Sequence, residues 1–124
     1  EASEKLKEGG DVLVMTSRGL VRGVDAISSL RIGGVVAAAL VRVVRGIEVR
    51  PRYVIAKGGI TSSDAATKGL NMKRAMILGQ AALGVPIWRC EEETSRHAGV
   101  PYIVFPGNVG DEDTLAEVVE RWAV

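Results

Sequence analysis

The chain alternates between two kinds of hydrophobic pattern. Short runs are continuously apolar, and longer stretches carry apolar residues every three or four positions. Asp11-Val12-Leu13-Val14-Met15-Thr16 is of the first kind and predicts a strand buried on both faces. Tyr53-Val54-Ile55-Ala56 predicts a second strand, spanning residues 53–57, and Tyr102-Ile103-Val104-Phe105 another. Ala75-Met76-Ile77-Leu78-Gly79 is a further run of strand type, and residues 81–88 continue it as a loop or a short strand. Residues 25–45 hold the longest helical pattern, with Ile27, Leu30, Gly34, Ala37 or Ala38, Val41 and Val44 on one buried face. Asp25 suits its N-cap, Arg42 and Arg45 suit the negative end of its dipole, and Gly46 suits its C-cap. Gly33-Gly34 mark either close packing or a break into two helices.

Shorter helices complete the pattern. Residues 1–8 are good helix formers stopped by Gly9-Gly10. Residues 64–71 predict a short helix. Residues 111–124 predict the last one, with Asp111 or Asp113 at its start and Leu115, Val118, Val119 and Trp122 on its apolar face. Residues 89–99 read as a polar turn region. This alternation predicts the α/β class: a layered domain with helices packed on a mostly parallel or mixed sheet.

Composition narrows the function more than the fold. A length of 124 residues suits one domain, 1–124, with one core. Only five aromatic residues are present, so that core is aliphatic. A net charge of +1 gives no drive towards nucleic acid or a membrane surface. One cysteine, Cys90, and one histidine, His97, exclude a disulfide framework and a Cys/His metal cluster within the chain, so no metal-ligating residues are expected. That cysteine usage fits a reducing, cytoplasmic compartment. The apolar run at 35–44 is too short to span a bilayer. No secretory signal is visible, and the opening Glu1-Ala2-Ser3-Glu4 reads as part of a helix already under way, which predicts a fragment of a longer protein.

The candidate chemistry lies in Ala56-Lys57-Gly58-Gly59-Ile60-Thr61-Ser62-Ser63-Asp64. A strand ends, two glycines turn the chain, and hydroxyls open a helix. Glycines permit close backbone approach and positive φ. A helix start offers unpaired N–H groups and the positive end of a dipole, which together favour phosphate. Lys57 can add a point charge, and Thr61, Ser62 and Ser63 can add donors. The same stretch reads equally as an ordinary helix start with Ser62 or Ser63 as N-cap. It is neither a P-loop nor the dinucleotide fingerprint.

Pro106-Gly107-Asn108-Val109-Gly110 repeats the context, since it too follows an apolar strand and precedes a helix. With parallel strands, both loops fall on one sheet edge, where open α/β sheets bind ligands. Thr16 and Ser17, at the end of the first predicted strand, are candidates for the same edge. Asp64 reads as a helix-terminal carboxylate, with a catalytic role as the sharper alternative. Trp88 reads as core or as a base-stacking residue, Cys90 as a loop thiol, His97 as a surface residue, and Arg89 and Arg96 as solvated charges.

Gly58-Gly59-Ile60-Thr61-Ser62-Ser63, Gly84-Val85-Pro86 and Pro106-Gly107-Asn108-Val109-Gly110, in that order, resemble the C-terminal nucleotide-binding domain of the four-carbon acid sugar kinase family. The resemblance runs from about Asp11 to Trp122. It implies an ATP-dependent kinase acting on a hydroxyl of threonate, erythronate or a 3-oxo-tetronate, with ATP and Mg²⁺ as cofactors. An N-terminal domain holding most of the sugar-acid site would precede this chain, and a homo-oligomer is compatible with it. By motif, Gly58, Gly59, Thr61 and Ser62 would meet the phosphates, and Gly107, Asn108 and Gly110 would line the nucleotide site opposite. The sequence departs from the family at Ile60, where an acidic residue is frequent, at Phe105, where a lysine is frequent, and at Lys57, where many relatives carry a small residue. A non-catalytic nucleotide-binding or regulatory domain is the alternative reading.

Overall fold

A computed structural model describes residues 2–15, 26–90, 95–106 and 110–122. Its elements, in chain order, are α1 (Ala2–Lys7), α2 (Ala26–Gly46), β1 (Val54–Lys57), α3 (Gly59–Asp64) with a π-helical continuation (Ala65–Gly69), β2 (Ala75–Ala82), β3 (Val85–Cys90), β4 (Pro101–Phe105) and α4 (Thr114–Trp122). The four strands form one mixed sheet in the order β1-β4-β3-β2. β1 and β4 are parallel, and β3 runs antiparallel to both β4 and β2.

Two aliphatic layers cover the sheet. On one face, Ala56, Cys90, Val100 and Tyr102 pack against Ala65, Ala66, Leu70 and Met72, with Val44 of α2 behind them. On the other, Val85, Ile87, Ile103 and Phe105 pack against Val118 of α4, flanked by Leu115 and Trp122. Strand alternation sorts the residues: Val54 and Ala56 face the first layer and Ile55 the second. Two of the five aromatics meet in the first layer, where Trp88 stacks on Tyr102 with ring centroids 6.0 Å apart. Trp88 is thus a packing residue rather than a free stacking platform.

Several expectations hold in detail. α2 is a single helix through Gly33 and Gly34, with Val41 buried; the expected N-cap, Asp25, lies outside the described residues. Gly9 takes φ +83° at the end of α1, as a C-capping glycine does. Asp111 holds the turn that leads into α4: its Oδ1 accepts from the Asp113 N–H at 2.9 Å and from the Thr114 hydroxyl at 3.0 Å, while the Asp113 carbonyl accepts the Glu117 N–H. Those bonds hold its carboxyl below the usual carboxylate range.

Other expectations are corrected. Residues 11–15 form no strand, and Val12, Leu13, Val14 and Met15 are exposed. Their apolar run lacks a ladder partner among the described residues, and period alone cannot supply one. Residues 75–90 are a hairpin turning at Leu83 and Gly84, so the strand alternative for residues 81–88 holds, with its start moved to Val85. Cys90 is not a loop thiol: it is fully buried on β3, and burial pushes its pKa up. Arg96 is not simply solvated, because its guanidinium donates to the Arg45 carbonyl at the end of α2. His97 Nε2 lies 3.0 Å from the Ile47 carbonyl, so the 95–99 turn is tied to the end of the long helix.

Candidate functional site

β1 and β4 are neighbours, and Lys57 lies in register with Phe105, so their carboxyl ends stand side by side. The chain leaving β1 turns into α3 and the π-turn on the first face. The chain leaving β4 continues to α4 on the opposite face. Two adjacent parallel strands whose connections diverge in this way open a crevice at their carboxyl ends, the place where open α/β sheets take ligands.

Gly58 forms the floor of that crevice. Its φ of +99° and ψ of 148° lie in a region essentially restricted to glycine. Its N–H donates to the Phe105 carbonyl at 2.8 Å, locking the turn to β4. The helix begins at once: Gly58 is the N-cap, and its carbonyl accepts the Ser62 N–H at 2.9 Å. The expected start at Asp64 is therefore late by about one and a half turns, and neither Ser62 nor Ser63 is the cap. The N–H groups of Gly59, Ile60 and Thr61 occupy the first turn, where a helix has no carbonyl of its own to offer them. Helix polarity directs such groups back towards the helix start, which lies at the carboxyl end of β1, with the positive end of the local dipole behind them.

The hydroxyls divide into different roles. Ser62 is 3% exposed, and its hydroxyl donates to the Ala56 carbonyl at 3.0 Å. The Ser62 carbonyl accepts the buried Tyr102 hydroxyl at 2.6 Å. Ser62 thus fastens the helix start to β1 and β4, and its hydroxyl proton is committed inward. Thr61 stays beside Gly58: a β-carbon built on Gly58 would lie 3.8 Å from its Oγ1. Ser63 is exposed, and its carbonyl accepts the Thr67 hydroxyl at 2.8 Å. Sequence reasoning missed Tyr102, although a tyrosine in an otherwise aliphatic strand signals a buried hydroxyl with a partner.

The cation at the carboxyl end of β1 is Lys57. It is exposed, and its ammonium stands 4.9 Å from the centroid of the buried Phe105 ring. Asp64 lies farther along the helix and pairs with Lys68 at 3.5 Å. Across the crevice, Gly110 takes φ +82°, and a side chain there would run into Thr114. Gly107 and Asn108 lie outside the described residues, as do Thr16 and Ser17. The structure therefore brings together Lys57, Gly58, Gly59 and Thr61, and turns Ser62 away. A separate cleft of about 290 Å³, lined by Gln80, Ala81, Ile87, Arg121 and Trp122, involves none of these residues.

Among the described residues, no group of three His, Cys, Asp or Glu side chains is placed to hold a metal ion. Nor is any described helix long and apolar enough to cross a membrane.

Fold and crevice define an α/β domain with an anion-ready helix start. The chain belongs to the family described as the nucleotide-binding C-terminal domain, which it matches over residues 1–115. This bears out the resemblance read from the glycine motifs. Two solved structures of a domain of unknown function (DUF1537) from Bordetella bronchiseptica, each a domain-swapped dimer with bound citrate, share the fold. One matches with a TM-score of 0.60 and 25% identity, over 97% of this chain and 29% of that one. The other matches with a TM-score of 0.61 and 23% identity, over 98% of this chain and 30% of that one. The chain thus spans under a third of the length of the solved chains it resembles. Nothing among curated proteins matches it.

Proposed function

We propose that this domain holds ATP for a kinase that phosphorylates a hydroxyl of a four-carbon sugar acid of the threonate, erythronate or 3-oxo-tetronate class. One observation carries the reading: a helix capped by Gly58 starts directly at the carboxyl end of β1, beside that of β4, with Lys57 as the last residue of the strand. Phosphoryl transfer asks a protein mainly for positioning and charge neutralisation, which backbone donors and a fixed cation supply. In this reading Gly58 and Gly59 let the β- and γ-phosphates approach the backbone, and Thr61 and Ser63 add hydroxyl donors. Gly107, Asn108 and Gly110 close the opposite side, and Thr16 and Ser17 belong to the same edge. ATP would supply the transferred phosphoryl group. Mg²⁺ would be held mainly by phosphate oxygens, because the carboxylates of Asp64 and Asp111 are engaged elsewhere.

The sugar-acid site and the catalytic base are assigned to a preceding domain, making residues 1–124 the C-terminal part of a longer cytoplasmic kinase. The dimers of the Bordetella structures support a homo-oligomer for that whole protein. The burial of Phe105 favours one second reading, a non-catalytic nucleotide-binding domain, because that position offers the crevice no charge.

Calorimetric titration of the purified chain with ATP and ADP, with and without Mg²⁺, tests the reading alongside Gly59→Val. The parent should bind, and the variant should lose affinity at least about tenfold while staying folded, since a bulky first-turn side chain blocks backbone approach to phosphate. An absence of binding up to millimolar nucleotide would remove the claim that the domain holds ATP by itself.

A further inference from the structure

The cleft between the β2–β3 hairpin and α4 brings a cation, amide donors and apolar surface together, apart from the first turn of α3. Its cavity of about 290 Å³ is lined by Gln80, Ala81, Ile87, Arg121 and Trp122. That volume is near the small end of the range usual for ligand sites. Ala81 and Ile87 are buried members of the second core layer, and Trp122 packs against the same layer. These three supply the apolar lining.

The fold anchors the two polar side chains. The β2–β3 ladder slips between Gln80 and Ala82, beside Pro86, which has no N–H to give. At that slip the Ala81 carbonyl accepts from Arg121 Nη1 at 3.1 Å. One nitrogen of the guanidinium is thereby fixed to the hairpin, and its fork keeps further donors. Glu117 stands one turn earlier on α4, yet no carboxylate among the described residues pairs with Arg121. Gln80 is anchored as well: its Oε1 accepts the Gly84 N–H at 3.0 Å across the turn. That bond engages the amide oxygen and leaves the amide N–H groups as donors. The cleft therefore offers donors and a positive charge beside apolar surface.

We propose that this cleft is a second binding site, one that takes a small monocarboxylate with a flat apolar body. The carboxylate accepts from Arg121 and from the Gln80 amide, and the planar guanidinium suits it. The apolar body lies on Ala81 and Ile87 beside the Trp122 ring, where removing its surface from water favours binding. Charge and lining together separate this class from others. Inorganic phosphate would leave the apolar lining uncovered. A polyhydroxy acid would set hydroxyls against that lining without partners. An uncharged aromatic would give Arg121 no counter-charge. Lys57, Gly58, Gly59 and Thr61 do not line the cleft, so the inference does not rest on nucleotide binding at α3.

Titration of the ¹⁵N-labelled 124-residue chain with benzoate tests it, with benzyl alcohol as the ring without charge and acetate as the charge without a ring. Benzoate should shift the amides of Gln80, Ala81 and Ile87 and the Trp122 indole N–H, with half-saturation at about 1 mM, ordinary for a ligand of this size. Each control should bind at least about tenfold more weakly. Gln80→Glu keeps an oxygen for the Gly84 N–H but sets a carboxylate against the ligand. It should weaken benzoate binding at least about tenfold, as should Arg121→Gln, while the Tyr102 amide signal stays in place in both variants. An absence of shifts at the cleft up to about 20 mM benzoate would overturn the inference. Benzyl alcohol binding as tightly as benzoate would overturn it too, leaving an apolar crevice without carboxylate selectivity. So would unchanged affinity in both variants, or displacement of benzoate by ADP, which would make the cleft part of a nucleotide site.

Discussion

Tyr102→Ala should destabilise the domain by about 4 kcal/mol, the size of effect found when a large buried aromatic is cut back to alanine. Tyr102 is fully buried at the middle of the sheet, in register with Val54 on one side and Trp88 on the other. Its ring stacks on Trp88, and its hydroxyl reaches the Ser62 carbonyl in the second turn of the crevice helix. Tyr102→Phe separates the two contributions. It keeps the ring and removes one buried hydrogen bond, so it should cost about 1–2 kcal/mol. Urea midpoints with unchanged slopes would measure both. A domain of this size holds roughly 5–15 kcal/mol in total, so the alanine variant should sit close to its unfolding threshold at body temperature. If the two variants cost the same, the hydroxyl rather than the ring organises this part of the core.

Gly58→Ala should cost about 1–3 kcal/mol of stability and weaken nucleotide binding by tenfold or more, because a side chain cannot hold a backbone at φ +99° and ψ 148° without strain. The chain can relieve that strain only by changing φ at position 58, which rotates the peptides on either side of it. Rotation would pull the Gly58 N–H from the Phe105 carbonyl and re-aim the first-turn donors. Stability and affinity should therefore fall together. Gly59→Val differs in this respect: it should spare the fold and block the site. Denaturation and calorimetry on both variants distinguish floor from doorway. Retained affinity in a destabilised Gly58→Ala would mean that the N–H groups do not touch the ligand.

Much of this architecture is legible in the amino-acid sequence. β4 announces itself through Tyr102 to Phe105, β1 through Val54 to Ala56, and α2 through its three-four spacing across two glycines. The shared edge of the two glycine loops follows from strand parallelism, which the sheet bears out. The helix start at Gly59 was harder to read. Gly-Ile-Thr-Ser-Ser is a poor helix former, and it is held helical by tertiary bonds: Ser62 to Ala56, Tyr102 to Ser62 and Gly58 to Phe105. The π-turn has no sequence signal, and its bonds spanning five residues, such as Leu70 N–H to the Ala65 carbonyl, emerge only in the fold. The hairpin at Leu83 and Gly84 lacks the Asn-Gly or Asp-Gly pair that would mark it, and the apolar run through Ala75 to Trp88 hides its turn. At the site, residue type pointed to Lys57, Gly58, Gly59 and Thr61. It could not separate Ser62 from them, because a serine that binds phosphate and one that braces a helix look alike until the acceptor, here the Ala56 carbonyl, is seen.

The central claim is that phosphate binds at the first turn of α3. Titrating ¹⁵N-labelled chain with ATP and following backbone amide shifts tests it most directly. The largest shifts should fall at the amides of Gly59, Ile60 and Thr61, with Lys57 following and α1 still. Shifts confined to the cleft around Gln80 and Trp122, or none at saturating nucleotide, would contradict it.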